Sequence, residues 1–157
     1  MGKNKPNKRK AFRLAVLNTP DVKDGYCPGI TALGKYKDRI ICSDPANLGG
    51  SVDIDLWTTK KYPTENRWDY ALGFKGEAFF IEVHSAHSSE VKTVLRKLAW
   101  LKHWLQTAAP EIDKITMRKK DPFYWIQSGN FQIPQSTPQY RAAIQAQLKP
   151  VKILALN

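Results

Sequence analysis

The hydrophobic period of the chain changes between His84 and Glu90, and this change constrains the fold more than any other feature of the sequence. Two apolar segments, Trp68–Phe74 and Glu77–His84, are joined by Lys75-Gly76, a dipeptide typical of a tight hairpin turn. Across Glu90–Thr107 the apolar residues instead recur every three or four positions, as on one face of a helix. A hairpin followed directly by an amphipathic helix predicts a sheet with a helix packed on it.

Weaker patterns predict the remaining elements. Ser88 or Ser89 is expected to cap the amphipathic helix, and Pro110 is expected to end it. Ala11–Leu17 fits either a short strand or the start of a helix. The other predicted strands are Arg39–Cys42, Ser51–Thr58, Phe123–Gln127 and Val151–Leu156, and the second predicted helix is Thr137–Leu148. This order predicts a single α/β domain over residues 11–157, built on a mixed central sheet.

The chain is strongly basic, with 25 Lys and Arg residues against 14 acids and a formal net charge of +11. Residues 1–10 are predicted to form a disordered basic tail that is attracted to phosphate chains. The rest of the chain also has an excess of basic residues, which favours nucleic acid, either DNA or RNA, as the partner. The alternative is that the charge only keeps the protein soluble. The basic residues of the tail are Lys3, Lys5, Lys8, Arg9 and Lys10.

Several classes of protein are disfavoured by what the sequence lacks. No apolar run approaches the roughly 20 residues that span a membrane, and no signal peptide is evident. Cys27 and Cys42 form no CxxC pair, which predicts two reduced thiols in a cytoplasmic protein. The sequence also lacks a phosphate-binding loop, a GxGxxG motif and a GxSxG motif. Enzymes that use nucleotide cofactors are therefore disfavoured.

The candidate site lies on the predicted hairpin. Glu82 and His84 are two residues apart on a strand, so their side chains leave the same face. An acid among apolar neighbours is costly to bury without a partner. A Mg²⁺ or Mn²⁺ ion held between Asp69 and Glu82 would remove this cost, because both ions prefer carboxylate oxygens.

The order RWDY, hairpin, FIEVH and basic amphipathic helix resembles the PD-(D/E)xK nuclease superfamily, which has the restriction-endonuclease-like fold. The family has an Asp on one strand, then an acid-x-Lys on the next, followed by a helix packed on the sheet. The resemblance implies that Asp69 and Glu82 bind the metal and that His84 stands in the place of the Lys. It also implies an upstream acid, which would be Asp55 or, failing that, Asp53. The implied activity is metal-dependent hydrolysis of nucleic-acid phosphodiesters.

The substitution of His84 for the family's Lys leaves two outcomes open. That Lys steadies the attacking water and the charged transition state, and a His can bind metal, act as a base or donate when protonated. The chain is therefore a nuclease, an inactive relative of one, or a non-catalytic module of similar fold that binds nucleic acid or protein. Asp69 is alternatively a strand-end residue paired with a basic side chain, and Glu82 is alternatively paired with Lys75 or Lys92. The upstream acids are alternatively the polar face of an edge strand.

The amphipathic helix carries a further candidate surface. Its basic residues lie beside the apolar stripe, which favours contact with a phosphate backbone. Trp100 and Trp104 form a stripe of their own, for which we consider internal packing, a homodimer seam and stacking on unpaired bases. The residues predicted to bind nucleic acid are Lys92, Arg96, Lys97 and His103.

Overall fold

The computed structural model describes residues 8–157. The α-helices are α1 (Lys8–Leu17), α2 (Ile54–Thr58), α3 (Val91–Thr107), α4 (Pro110–Lys114) and α5 (Pro138–Gln145). The strands are β1 (Ile40–Cys42), β2 (Leu48–Asp53), β3 (Tyr70–Phe74), β4 (Glu77–His84), β5 (Phe123–Gln127) and β6 (Leu154–Leu156). Short 3₁₀ helices span Thr31–Arg39, Pro45–Asn47 and Ser88–Glu90.

A four-stranded mixed sheet with the order β2-β3-β4-β5 forms the centre of the structure. The first three strands form an antiparallel meander, whereas β5 runs parallel to β4 after the crossover through α3. β1 and β6 pair in parallel as a separate two-stranded sheet. The prediction of an α/β protein with a mixed sheet is confirmed.

Both faces of the four-stranded sheet are covered, and a separate apolar core lies against each face. One core joins the sheet to the helices and includes Phe12 of α1, Phe80 of β4 and Leu101 of α3. The other core joins the opposite face to the small sheet and includes Ile81 of β4 and Leu154 of β6. Side chains alternate along a strand, so Glu82 leaves β4 on the same side as Phe80, toward the helices.

Helix α1 lies directly on the sheet because glycines remove the side chains that would keep it away. A Cβ added at Gly73 of β3 would lie 2.4 Å from the Cβ of Phe12. A Cβ at Gly49 of β2 would lie 3.1 Å from the carbonyl oxygen of Arg9. These two close approaches fix the position of the basic first turn of α1 against the start of β2.

The segment predicted as one strand, Ser51–Thr58, is divided in the structure. β2 ends at Asp53, whose side chain accepts a hydrogen bond from the backbone N–H of Leu56 at 2.9 Å and so caps α2. The prediction was wrong for the second half because a period-2 pattern over so few residues does not outweigh a good N-cap. Asp55 is therefore on a helix and not on an edge strand.

The ends of other elements also differ from expectation. Ala11–Leu17 belongs to a helix that begins at Lys8, so the end of the predicted tail is helical, and residues 1–7 lie outside the described residues. Neither Ser88 nor Ser89 caps α3, since both lie within the 3₁₀ helix that precedes it. Pro110 opens α4 instead of only ending α3, because the first helical turn tolerates proline.

The predicted last strand is shorter than expected. Val151 makes an isolated bridge to Ile126, and only Leu154–Leu156 forms regular pairing. Cys27 and Cys42 are free thiols. Within residues 8–157, no helix combines the length and the apolar character needed to cross a membrane.

Candidate functional site

Asp69 and Glu82 face each other across the β3–β4 hairpin. Tyr70 is opposite Ile81 in the ladder, so Asp69, one residue earlier, comes opposite Glu82. The backbone N–H of Asp69 donates to Glu82 Oε1 at 3.1 Å, and the backbone N–H of Val83 donates to Asp69 Oδ2 at 3.0 Å. Each carboxylate thus uses one oxygen to hold the other strand and keeps its second oxygen for the side facing α3.

Lys97 of α3 reaches both of these second oxygens. Its Nζ lies 3.5 Å from Asp69 Oδ1 and donates a close hydrogen bond to Glu82 Oε2. The Glu82 side chain is fully buried, and those of Lys97 and Asp69 are 16% and 20% exposed. One ammonium group therefore serves two carboxylates in a largely water-excluded position.

His84 adds a second positive group on the other side of Glu82. Its Nδ1 lies 3.3 Å from Glu82 Oε2 and its Nε2 lies 2.8 Å from Glu90 Oε2. Because each ring nitrogen faces a carboxylate oxygen, the imidazole fits best as a donor on both sides, which is its protonated form. Hydrogen bonding to Glu82, assisted by Glu90, raises the pKa of His84 although burial opposes the shift.

Burial and the neighbouring charges shift the pKa values of Asp69 and Lys97. Burial, followed by the neighbouring Glu82 carboxylate, raises the pKa of Asp69 to about 7, against the opposing effect of Lys97. Burial lowers the pKa of Lys97, but the carboxylates of Glu82 and Asp69 outweigh it, and the pKa is raised. A carboxyl group that titrates near neutral pH beside a held cation is characteristic of functional sites. We call Asp69, Glu82, His84, Glu90 and Lys97 the acid cluster.

The predicted upstream acids lie beside the acid cluster without joining it. Asp55 Oδ1 accepts from Arg67 Nε at 2.8 Å, and its carboxylate is 44% exposed. The backbone N–H of Asp55 donates to the carbonyl oxygen of Asp69 at 3.3 Å, which connects α2 to the start of β3. Asp53 is occupied as the cap of α2. Asp55 remains near enough to raise the pKa of Asp69 slightly, although Arg67 holds its side chain.

The predicted nucleic-acid residues of α3 separate into two groups. Lys92, Arg96 and His103 lie exposed on the outer face of the helix, as expected. Lys97 lies instead on the inner side, within the acid cluster. The sequence contained a signal for this position, since Lys97 falls among the buried residues of the apolar stripe, three residues after Val94.

Trp100 and Trp104 are held within the chain. Their rings stack with centroids 5.8 Å apart, and Trp104 is only 2% exposed. Trp104 Nε1 donates to Asp21 Oδ2 at 2.9 Å, and Trp100 Nε1 donates to Glu65. Internal packing therefore accounts for the placement of both rings, and a homodimer through Trp100 and Trp104 stays a prediction.

The acid cluster has oxygen donors that suit a divalent cation, but the Lys97 ammonium already occupies them. Mg²⁺ is usually held by one or two carboxylates together with water and substrate phosphates. Asp69 and Glu82 supply two carboxylates that already share one cationic group, so the donor chemistry fits. Within residues 8–157, however, no group of three or more His, Cys, Asp or Glu side chains is arranged to hold a metal ion. A bound ion would have to displace the Lys97 ammonium or share its oxygens.

No protein-family model, curated protein or solved structure matches the chain. The roles of these residues are therefore argued from their geometry. Glu90 is the member of the acid cluster that the sequence reasoning missed. It stands in the short 3₁₀ helix before α3, where only the folded chain brings it to His84.

Proposed function

We propose that the protein is a metal-dependent hydrolase of nucleic-acid phosphodiesters. The observation that carries the proposal is that Asp69 and Glu82, on neighbouring strands, converge on one shared cationic group. Two acids placed in this way are a costly arrangement in a protein interior, because their negative charges repel each other and burial disfavours both. A divalent cation bound between the two carboxylates would offset this repulsion.

The order of elements supports the finer assignment to a restriction-endonuclease-like fold. Asp69 immediately precedes β3, Glu82 lies on the hairpin-paired β4, and α3 packs on the same face of the sheet. The resemblance to PD-(D/E)xK nucleases implies the same order of acids, strands and helix along the chain. The parallel pairing of β5 with β4 follows from the crossover through α3.

Lys97 supplies the ammonium group that is missing at the position of His84. The resemblance places a Lys two residues after the second acid, and there the chain has His84. Lys97 brings an ammonium group to the same two carboxylates from α3 instead of from β4. We therefore assign to Lys97 the role of steadying developing negative charge, and to His84 that of orienting Glu82.

The residues divide the work of hydrolysis as follows. Asp69 and Glu82 would hold Mg²⁺ or Mn²⁺, which when bound activates water and stabilises charge on the phosphate. Lys97, freed from one carboxylate, would donate to a phosphate oxygen as charge accumulates there. The burial of Glu82 lowers the local dielectric constant and so strengthens each of these interactions.

A cleavage assay tests this function. Purified protein is incubated with DNA and with RNA in Mg²⁺, in Mn²⁺ and in EDTA, alongside the variants Asp69→Asn, Glu82→Gln and Lys97→Met. We expect cleavage that requires the metal and falls at least about 100-fold in each variant. Glu111→Gln is the matched control, since this acid is exposed and pairs with Lys114 at the surface, away from the acid cluster. Full activity in folded Asp69→Asn or Glu82→Gln would show that the assignment is wrong.

One observation favours a second candidate, a non-catalytic module that binds nucleic acid or protein. Lys97 and His84 already neutralise the two acids, and no buried side-chain N or O atom in the described part of the chain lacks a hydrogen-bond partner. The acid cluster is thus satisfied without a metal ion. Calorimetric titration with Mn²⁺ separates the two candidates, because only the enzyme requires binding that Asp69→Asn weakens.

A further inference from the structure

A second concentration of charge lies at the other end of β2 from the acid cluster. Arg9, Lys10 and Arg13 of α1 line a pocket of about 320 Å³ whose opposite wall is formed by Tyr26 and Gly29. None of the residues that line this pocket, all of them within residues 8–157, is acidic. We call this surface the α1 pocket. Its lining therefore carries basic side chains and no acidic one.

The walls of the α1 pocket are fixed by contacts that do not involve a ligand. Tyr26 donates from its hydroxyl to the carbonyl oxygen of Gly49 at 2.9 Å, which ties the loop to β2. The guanidinium carbon of Arg13 lies 5.4 Å from the centroid of the Tyr26 ring. The close approach of α1 to Gly49 holds the helix in place on the other side. The cationic groups are therefore presented by a preformed surface.

We propose that the α1 pocket binds the phosphodiester backbone of a nucleic acid. Basic side chains beside an aromatic ring, on a surface without acids, suit a chain of phosphates with its sugars and bases. The identity of the ligand as a nucleic acid rests on the proposed function, whereas the location of the surface does not depend on catalysis. Lys10 and Arg13 are the residues assigned to the phosphates.

The α1 pocket is separate from the acid cluster. It borders Leu48 and Gly49 at the start of β2, whereas Asp53 at the end of β2 pairs with Tyr70, next to Asp69. Five residues of strand at about 3.4 Å each span roughly 17 Å. In a duplex this is the length of about five base pairs. A small phosphodiester bound at the acid cluster therefore does not reach the α1 pocket, which gives the two sites different substrates for testing.

The test is equilibrium binding in EDTA, so that no cleavage occurs. The anisotropy of a fluorescein-labelled DNA duplex and of a labelled RNA hairpin is measured over a series of salt concentrations. The Lys10→Glu/Arg13→Glu variant is compared with Lys119→Glu/Lys152→Glu, a control with the same change in net charge at exposed positions. Lys92→Glu/Arg96→Glu tests the outer face of α3 in the same assay.

We expect the α1 variant to bind at least about tenfold more weakly than the wild type, and the control to change less than about threefold. The slope of log K against log salt should fall by about 2, one unit for each lost phosphate contact. Because Lys10 and Arg13 are both exposed, the variant should unfold at a Tm close to that of the wild type. Lys10→Gln/Arg13→Gln provides a milder change with the same expected direction.

Three results would overturn the proposal: wild-type protein that does not bind, equal losses in the α1 variant and the control, or a loss confined to the α3 variant. Hydrolysis of bis(p-nitrophenyl) phosphate with Mn²⁺ then keeps the two proposals apart. Binding that depends on the α1 pocket without hydrolysis would refute the nuclease function and leave the surface standing. Hydrolysis together with binding that Lys10→Glu/Arg13→Glu leaves unchanged would support the nuclease function and refute the role of the α1 pocket.

Discussion

Replacing Lys97 by methionine removes one of the two cations that neutralise the buried acids. The side chain of Glu82 is fully buried and that of Asp69 is 20% exposed, so neither carboxylate regains full hydration. Removing one partner of a buried ion pair costs about 3–5 kcal/mol. The lower value, about 3 kcal/mol, is expected here because His84 still contacts Glu82 and Asp69 can take up a proton. For a chain of this length, the expected fall in Tm is about 6–12 °C.

Thermal unfolding at pH 8 measures this effect, since Asp69 is then mostly ionised in the wild-type protein. Lys114→Met is the control, because it removes an exposed i,i+3 pair with Glu111 that contributes less than about 1 kcal/mol. Saturating Mn²⁺ should recover part of the loss in Lys97→Met by binding the folded state. A Tm for Lys97→Met within about 2 °C of wild type would refute the buried-pair reasoning.

Three further predictions concern the pH dependence of stability, the contact of Glu90 with His84 and the packing of α1 on the sheet. The raised pKa values of Asp69 and His84 mean that the folded state holds protons more tightly than the unfolded state. The free energy of unfolding should therefore fall as the pH rises from about 4 to 8, by at most about 4 kcal/mol from Asp69. Urea unfolding across this range should show the fall, and Asp69→Asn should flatten it. Glu90→Gln keeps an acceptor oxygen but removes the negative charge beside His84, and should therefore lower the pKa of His84, as followed by NMR titration of the imidazole; an unchanged value would contradict the contact. Gly73→Ala should destabilise the protein by about 1–3 kcal/mol through a clash with α1, whereas Gly129→Ala, which meets nothing within 4 Å, should not.

The elements that sequence reasoning located best are those with a long and consistent period. The hairpin Tyr70–Phe74 with Glu77–His84 and the helix Val91–Thr107 appear close to the predicted bounds. Each has a core face that leaves one register available, and the Lys75-Gly76 turn adopts the positive φ angles that a tight hairpin requires. The helix α5 begins at Pro138, with Thr137 as its cap, and ends at Gln145, three residues before the predicted Leu148.

Short elements were harder to predict because their structure depends on tertiary contacts. Ile54–Thr58 became a helix because Asp53 caps it, which the alternating pattern concealed. Lys8–Leu17 is helical because Phe12 packs into the sheet at Gly73, a contact between segments far apart in the chain. Tertiary packing of this kind overrides weak local propensity.

The candidate site was predictable in part. Asp69, Glu82 and His84 could be found because adjacent strands and a period of two place them together. The apolar stripe indicates that Lys97 lies toward the inner side of α3, but its contact with both acids could not be derived, because packing sets the rotation of α3 about its axis. The contact of Glu90 with His84 could not be derived either, because it depends on the path of the 3₁₀ helix. Asp55 was assigned to the site from a strand that does not extend that far, and Arg67 holds its carboxylate instead.

Crystals of the protein soaked in Mn²⁺ would test most directly whether Asp69 and Glu82 form a cation site. An anomalous difference map should show one strong peak within coordination distance of Asp69 Oδ1 and Glu82 Oε2, with the Lys97 ammonium moved away from at least one of them. Peaks only at exposed surface carboxylates, with Lys97 still bridging the two acids at saturating Mn²⁺, would contradict the account.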